Sequence, residues 1–428
     1  MYLIFDTETT GLPQNYNAPL TDFENWPRLV QIAWQLHDMR GNLLVARNLI
    51  VKPDGFTIPY NSVQIHGIST ERAMEEGLDI KEVLSMLKDD IAKAEHGIGH
   101  NIEFDYNIVG SEYLRAGLDN PLEELSDIDT KLEGTNFCAI PGGRGGQFKW
   151  PTLTELHQKL FGKGFDDAHD AAYDVDATAR CFFGLIKESV IPPASGIKLH
   201  EVIYEAPELE AANFAKEDVL QEGIDLSKVD DEGLNELEEV PFSHLHVHSQ
   251  FSILQAVTDI KSLVGAVKEM GMPAVALTDH GNMMGAFQFV SAALAAEIKP
   301  IVGCEFNVCA DRSNKKVQDN GFQTVILAKN RKGYHNLVKL SSIAYTDGFY
   351  YVPRIDKNDL LKYKEDLIIL SGGLWGEVAY KILNVGETQA EEAFVWWKDQ
   401  FGADFYAEIN RHGIPEEDHV NKILLNLC

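Results

Sequence analysis

The stretch Tyr2-Leu3-Ile4-Phe5-Asp6-Thr7-Glu8-Thr9-Thr10-Gly11 decides how the first half of this 428-residue chain is read. Four apolar residues run straight into two carboxylates one residue apart. Side chains alternate along a strand with period two, so Asp6 and Glu8 project from the same face. Burying acids beside an apolar run is costly unless something cationic meets them. A divalent ion of the magnesium or manganese class suits such hard oxygen donors. A strand that ends in solvated acids is the plainer alternative, and residues further along the chain have to decide between the two.

Two more segments bring candidates. His100-Asn101-Ile102-Glu103-Phe104-Asp105 follows Gly97-Ile98-Gly99, a strand-to-helix turn, and places Asp105 near the start of a helix running to about Arg115. Ala168-His169-Asp170-Ala171-Ala172-Tyr173-Asp174 opens another helix, marked by an apolar face at Val175, Ala179, Phe182 and Ile186. His169 lies at its beginning and Asp174 about a turn and a half further on, so both can point into one cleft. The set is then four carboxylates (Asp6, Glu8, Asp105, Asp174) and one imidazole (His169). Converging acids repel one another and raise each other's pKa. Two divalent ions roughly 4 Å apart relieve that repulsion and clamp an in-line phosphoryl displacement. In such chemistry a neutral His169 is the candidate general base for the attacking water.

Taken in order, the Asp-x-Glu, His-Asn-x-x-Phe-Asp and His-x4-Asp motifs resemble those of the DEDDh-type 3′-to-5′ exonucleases, over about residues 1–187. Val63-Gln64-Ile65-His66-Gly67-Ile68 is also similar to the connecting segment of bacterial proofreading members. The resemblance implies an α/β domain over residues 1–190, a ribonuclease H-like mixed sheet flanked by helices. It implies catalytic roles for Asp6, Glu8, Asp105, His169 and Asp174, with the four acids holding two Mg2+ or Mn2+ ions. Thr9, Gly11, His100 and Asn101, within the same motifs, are candidate substrate contacts.

A formal charge of −29 runs against the usual nucleic-acid enzyme, which neutralises phosphates with Lys and Arg. Its location weakens the objection. Residues 201–240 carry 14 Asp and Glu against two Lys, a net of −12, and read as an acidic linker over residues 191–241 that opens at Ile191-Pro192-Pro193. Residues 131–164 instead hold Lys131, Arg144, Lys149, Lys159 and Lys163 against Glu133 and Glu155. Within them Pro141-Gly142-Gly143-Arg144-Gly145-Gly146-Gln147-Phe148-Lys149-Trp150 reads as a mobile loop with two cations and two aromatics. That mix suits gripping a single strand of DNA by phosphate contact and base stacking, with Arg144 and Lys149 as the contacts. A solvated surface loop is the alternative reading. Five scattered cysteines (Cys138, Cys181, Cys304, Cys309, Cys428) show no pairing pattern. With no signal peptide or long apolar span in the sequence, they point to a reducing cytoplasm.

A second domain is expected over residues 242–428. Phe242-Ser243-His244-Leu245-His246-Val247-His248-Ser249 sets three histidines at alternating positions, read as one strand face, which suits a borderline metal such as zinc. Strands at Ala274–Leu277 and Pro300–Glu305 alternate with helical stretches from Lys261 to Met270 and from Met283 to Glu297. This alternation points to a (β/α) barrel of parallel strands with its site at their carboxyl ends. The segment resembles the PHP domain (polymerase and histidinol phosphatase) of bacterial DNA polymerase III alpha subunits. Ser243–Ser252, Leu277–Asn282, Lys299–Phe306, Leu327-Ala328-Lys329-Asn330 and Arg411-His412-Gly413-Ile414-Pro415 carry the likeness. It implies metal ligands at His246, His248, His280 and Glu305, with Asp279 as a further candidate, in a vestigial site that holds Zn2+.

The chain departs from metal-binding members of that family at three positions. Leu254-Gln255-Ala256 stands where they carry an Asp, Gln323 where they carry a His, and Ser371-Gly372-Gly373 where they carry a Cys. The second domain has 187 residues, against roughly 250 for a full barrel, and is read as incomplete, with a polymerase core expected to follow. The function expected is metal-dependent 3′-to-5′ removal of nucleotides from single-stranded or frayed DNA ends, proofreading in replication beside a polymerase and its sliding clamp. An RNA-trimming exonuclease and a non-catalytic scaffold of the replicative polymerase are the alternatives.

Overall fold

The computed structural model describes residues 1–164, 171–205 and 240–428, and the chain divides into two compact units. In the first, the opening strand runs past Phe5: β1 (Tyr2–Thr9) carries Asp6 and Glu8 within its length. It pairs antiparallel with β2 (Leu29–His37), which pairs antiparallel with the exposed edge strand β3 (Leu43–Ile50). Helices α1 (Tyr60–His66), α2 (Thr70–Glu76) and α3 (Ile80–Ile91) lead to β4 (His96–Gly99), and α4 (Ile102–Arg115) to β5 (Ser126–Asp129). A long crossover lets β4 lie parallel to β1 and β5 parallel to β4, giving the order β3-β2-β1-β4-β5. Helices α5 (Thr130–Cys138), α6 (Leu153–Phe161) and α7 (Ala171–Lys187) complete the unit. This is the mixed sheet with flanking helices of the ribonuclease H-like class.

The alternation of β1 sorts its side chains between two cores. Tyr2 and Ile4 pack with Ile98 and the α7 residues Val175, Ala179, Phe182 and Ile186. Leu3 and Phe5 pack instead with Val83, Leu84 and Leu87 of α3 and Ile108 and Val109 of α4. By the same parity Asp6 and Glu8 face α7, and Thr7 faces α4. Phe182 is fully buried and meets the Tyr2 ring edge-on at 4.9 Å, which fixes α7 against β1. Phe182→Ala is expected to destabilise the first unit by about 3–5 kcal/mol, the usual cost of deleting a buried aromatic. Urea denaturation followed by circular dichroism would measure it, and a loss near zero would mean that α7 is held elsewhere.

Residues 191–205 belong to this packing and not to a linker. Ile191, Val202 and Tyr204 are buried, and the Tyr204 ring stacks on Phe183 at 4.5 Å. The apolar spacing there was too sparse to read as core, because the residues it covers lie far away in sequence. The remaining linker, residues 206–239, falls outside the described residues.

The second unit contains α8 (Ile260–Glu269), β6 (Ala274–Leu277), α9 (Ala286–Ala295), β7 (Lys299–Cys309) and β8 (Phe322–Ala328). It continues with α10 (Arg331–Thr346), β9 (Arg354–Asp356), α11 (Lys357–Lys362), β10 (Leu367–Leu370) and α12 (Glu377–Asn384). Helix α13 (Glu387–Phe401), β11 (Phe405–Tyr406) and α14 (Pro415–Leu427) close it. The sheet path is β11-β10-β8-β7-β6, with β9 added to β7. The α/β class is as expected, but the strands are not all parallel. β8 runs antiparallel to both β7 and β10. The reason is the connection: residues 310–321 join β7 to β8 with no crossover helix, so the chain turns back on itself. Among the described residues no helix is long and apolar enough to cross a membrane.

The histidine-rich segment also differs from its reading as a regular strand. His244 O accepts from Ala276 N and Val247 O from Thr278 N, both at 2.9 Å. Acceptors three residues apart thus face donors two apart, which inserts one extra residue, as a bulge does. The strict alternation fails: His244 packs edge-on against Phe242 at 4.9 Å, while His246 and His248 turn toward one another at 5.2 Å.

Candidate functional site

Ligand atoms of Asp6, Glu8 and Asp174 all lie within 4.8 Å of one another. Strand β1 supplies the first two from one pleat face, and the first turn of α7 supplies the third. All three are half-buried. Carboxylates at such spacing disfavour one another's charge, and a hard divalent cation is the partner that this donor set suits.

Asp105 is placed differently. It lies in the first turn of α4, 4% exposed, and its Oδ1 accepts from Thr7 Oγ1 at 2.6 Å. It therefore sits against the opposite face of β1 and is not among the three gathered acids. Burial pushes its carboxyl up to about 7, against the lowering effect of the Thr7 hydrogen bond. A folded-state value above the ordinary 3.8 means that the folded chain holds this proton more tightly. The stability so gained is fully present below pH 3.8 and lost as pH rises through about 7. The metal-free chain is expected to lose on the order of 4 kcal/mol across that window. Asp105→Asn, neutral throughout, should flatten the slope in denaturation curves collected with chelator. An unchanged slope would assign it to other groups.

The remaining candidates fall around the ends of β1 and β4. Thr9 Oγ1 donates to Gly11 O at 2.7 Å and pins the turn that leaves β1, where Gly11 takes φ 148°. The backbone shifts register between Glu8 and Thr9, so the strand bends away at this point. His100 pairs through Nδ1 with Thr130 Oγ1 at 3.0 Å and through Nε2 with Pro151 O at 3.1 Å. Burial depresses its imidazole to about 4, despite the Pro151 carbonyl, so it stays neutral at physiological pH. Both ring nitrogens thus engage the protein. Asn101 takes left-handed backbone (φ 78°), its amide donating to Asp129 Oδ1 at 3.0 Å and its side chain accepting from Lys131 Nζ.

In the loop after α5, Lys149 pairs with Glu155 at 2.9 Å. Lys131 lies 4.8 Å from the centroid of Trp150, whose ring is 60% exposed. Lys131 counts here as a residue that motif reading missed; its place in a basic stretch was the only signal. Arg144 begins a short 3-10 turn at Arg144–Gly146. His169 lies outside the described residues, so its candidacy rests on sequence alone.

The second unit holds a separate cluster. Glu305 is 2% exposed and faces His246 Nε2 at 3.1 Å, His248 Nε2 at 3.4 Å and His280 Nδ1 at 2.5 Å. Ligand atoms of His246, His248 and Glu305 lie within 4.8 Å of one another. Burial works against charge on both partners. For His246 the pull of Glu305 and Glu408 outweighs it, pushing the imidazole up to about 10, while hydrogen bonds from the histidines hold Glu305 far below the carboxylate range. Asp279 is not part of the cluster. It is buried and accepts from Ser249 N at 2.7 Å, from the Ser249 hydroxyl and from Ser252 Oγ at 2.7 Å. Glu408 was not found from sequence: its Oε1 accepts from His246 Nδ1 at 2.6 Å. It is a lone acid just past β11, far from any motif.

The geometry defines two centres, one of acids on a ribonuclease H-like sheet and one of histidines with glutamates. Comparison with known families agrees with that division. Residues 3–182 match the Exonuclease family model and residues 244–412 the PHP domain. The chain is homologous over part of its length to DNA polymerase III alpha subunits. That of Borreliella burgdorferi is 44% identical over 188 residues, which is 43% of this chain and 16% of the relative. That of Treponema pallidum is 41% identical over 192 residues, 44% of this chain and 16% of the relative. The matched stretch is thus a small part of each relative. Among solved structures, E. coli Exonuclease I in complex with a dT13 oligonucleotide is 22% identical over 44% of this chain and 40% of its own, with a TM-score of 0.36.

Proposed function

We propose that this chain is a metal-dependent 3′-to-5′ exonuclease acting on DNA ends, and that it proofreads as part of a replicative polymerase III alpha subunit. The observation that carries this reading is the gathering of Asp6, Glu8 and Asp174 ligand atoms within 4.8 Å. These acids would hold the divalent ions, Mg2+ or Mn2+, with Asp105 as the buried acid behind β1. When bound, such ions act as Lewis acids toward the phosphodiester and stabilise charge on the departing 3′ oxygen.

The chain's own groups supply the rest. Thr9 and Gly11 shape the turn at the end of β1, where the terminal nucleotide would lie beside the acids. His100 braces the β4 turn against Thr130 and Pro151 and so fixes Asn101 at the rim. Trp150 and Phe148, both exposed, with Lys149 and Arg144 close in sequence and Lys131 4.8 Å from the Trp150 ring, offer stacking faces and cations for the strand that leads away. His169, five residues before Asp174 in the sequence, takes the proton of the attacking water and leaves the reacting hydroxide beside the scissile phosphorus. Joined in one chain to a polymerase, the nuclease would work at high local concentration near the primer end.

The test is a 5′-labelled single-stranded DNA oligonucleotide incubated with the full chain. Stepwise shortening from the 3′ end in Mg2+, absent with chelator, is expected. Release of the label in the first products would reverse the polarity, and no shortening at all would favour the scaffold reading. The same assay on an RNA oligonucleotide tests the RNA-trimming alternative, which predicts faster loss of RNA than of DNA.

A further inference from the structure

Trp150 is 60% exposed, although the backbone on both sides of it is tied down. Lys149 N donates to Ile140 O at 2.8 Å and closes the base of the glycine-rich loop. Pro151 O, one residue past the ring, meets His100 Nε2 at 3.1 Å, which ties Trp150 to the turn after β4. Lys131, in the first turn of α5, has its Nζ 4.8 Å from the Trp150 centroid and donates to Asn101 Oδ1. Leaving so large a ring in water forgoes the burial that usually stabilises tryptophan. Held in this way, the ring offers a flat face that is already ordered before a ligand arrives.

The ring stands at the same end and on the same side of the sheet as the gathered acids. Ile4 of β1 pairs with Ile98 of β4, and Ile98 with Ile128 of β5. Two residues further on, Asp6, His100 and Thr130 therefore mark one row at the carboxyl ends of three parallel strands. Neighbouring strands lie about 4.8 Å apart, so the end of β5 is roughly 10 Å from that of β1. Cys138 of α5 and Leu156 of α6 share a core with Tyr2, Ile4 and Val175, on the side of the sheet where Asp6 and Glu8 project. Stacked bases advance by about 3.4 Å each, and unstacked ones by more. A strand whose last nucleotide lies at the acids thus meets the ring about two nucleotides further in. Lys131 suits the phosphate there. Its ammonium has three donors, and its partners are a neutral amide oxygen and a ring, whereas Lys149 already faces Glu155 at 2.9 Å.

Resting on the exonuclease reading, we propose that Trp150 and Lys131 form a subsite for about the third nucleotide from the 3′ end of a single strand. The ring stacks on its base and the ammonium holds its phosphate. The substrate class is then a single-stranded end of at least three nucleotides, because a base still paired in a duplex would first have to leave its stack.

The experiment uses the full chain and 5′-labelled oligothymidylates of two to eight nucleotides. In Mg2+, kcat/KM should rise by roughly 5–150-fold between two and five nucleotides, the range that one base–aromatic stack accounts for, and then level off. Trp150→Ala should remove most of that rise, and Trp150→Phe, which keeps a ring, should retain most of it. Lys131→Met should raise KM for the longer strands far more than it lowers kcat. With Ca2+ in place of Mg2+, the eight-nucleotide strand should quench tryptophan emission in the parent and not in the Trp150→Ala protein. A rise that survives in Trp150→Ala, or a Trp150→Phe protein as impaired as Trp150→Ala, would overturn the proposal. Quenching through Trp150 without release from any oligonucleotide would overturn the exonuclease reading instead and leave the subsite standing.

Discussion

Replacing Asp6 with alanine is expected to abolish nucleotide release. Asp6 shares one face of β1 with Glu8 and meets Asp174 from α7, so its loss removes a donor from a set of three. Ions in such a site contribute several kcal/mol of charge stabilisation in the transition state. At about 1.4 kcal/mol per factor of ten, the rate should fall on the order of 10³-fold or more. The substitution should spare the fold. The cores that hold β1 are built from Tyr2, Leu3, Ile4 and Phe5, none of which it touches. In metal-free buffer the variant should be as stable as the parent or more so, because one of three mutually repelling carboxylates is gone. Single-turnover release from a 5′-labelled oligonucleotide, run beside thermal denaturation with and without Mg2+, measures both. Full activity in a folded variant would remove Asp6 from the chemistry.

The second large effect is expected at His169. Removing a general base costs on the order of 10²–10⁴ in rate, so His169→Ala should slow release by that factor. Two further readouts separate a base from a residue that merely holds the helix in place. The parent's rate should fall at acid pH as the imidazole takes up a proton, and the variant should lack that limb. Affinity for Mn2+ should be the same in both proteins, since the imidazole takes protons and not metal. A variant that loses Mn2+ binding, or keeps the acid limb, would assign the base elsewhere.

Much of the first unit was legible because its signals are local. Alternation along Tyr2–Thr9 gives the shared face of Asp6 and Glu8, and the spacing of Val175, Ala179, Phe182 and Ile186 gives α7 and its buried stripe. What alternation does not encode is the side of the sheet on which each helix lands. Asp105 was read as one of four converging acids; its place on α4, which packs on the Leu3 and Phe5 face, and its hydrogen bond with Thr7 lie beyond what the sequence shows. In the second unit, strand–helix alternation located β6 and β7 but is blind to strand direction, so the antiparallel pairing of β8 with β7 escaped it. His246, His248, His280 and Glu305 were legible from motifs, while Glu408 was not. Its pairing with His246 spans 162 residues and is made by a turn after a two-residue strand. Lys149 was read as a phosphate contact from its place in a glycine-rich loop; what that reading did not show is its ion pair with Glu155 of α6.

The most direct test of the nuclease reading is to locate its ions. A crystal of the full chain soaked in Mn2+ and measured at the manganese absorption edge should show a pair of anomalous peaks, with Asp6, Glu8 and Asp174 around them. No peak among those three carboxylates, with Mn2+ bound elsewhere in the same crystal, would contradict it.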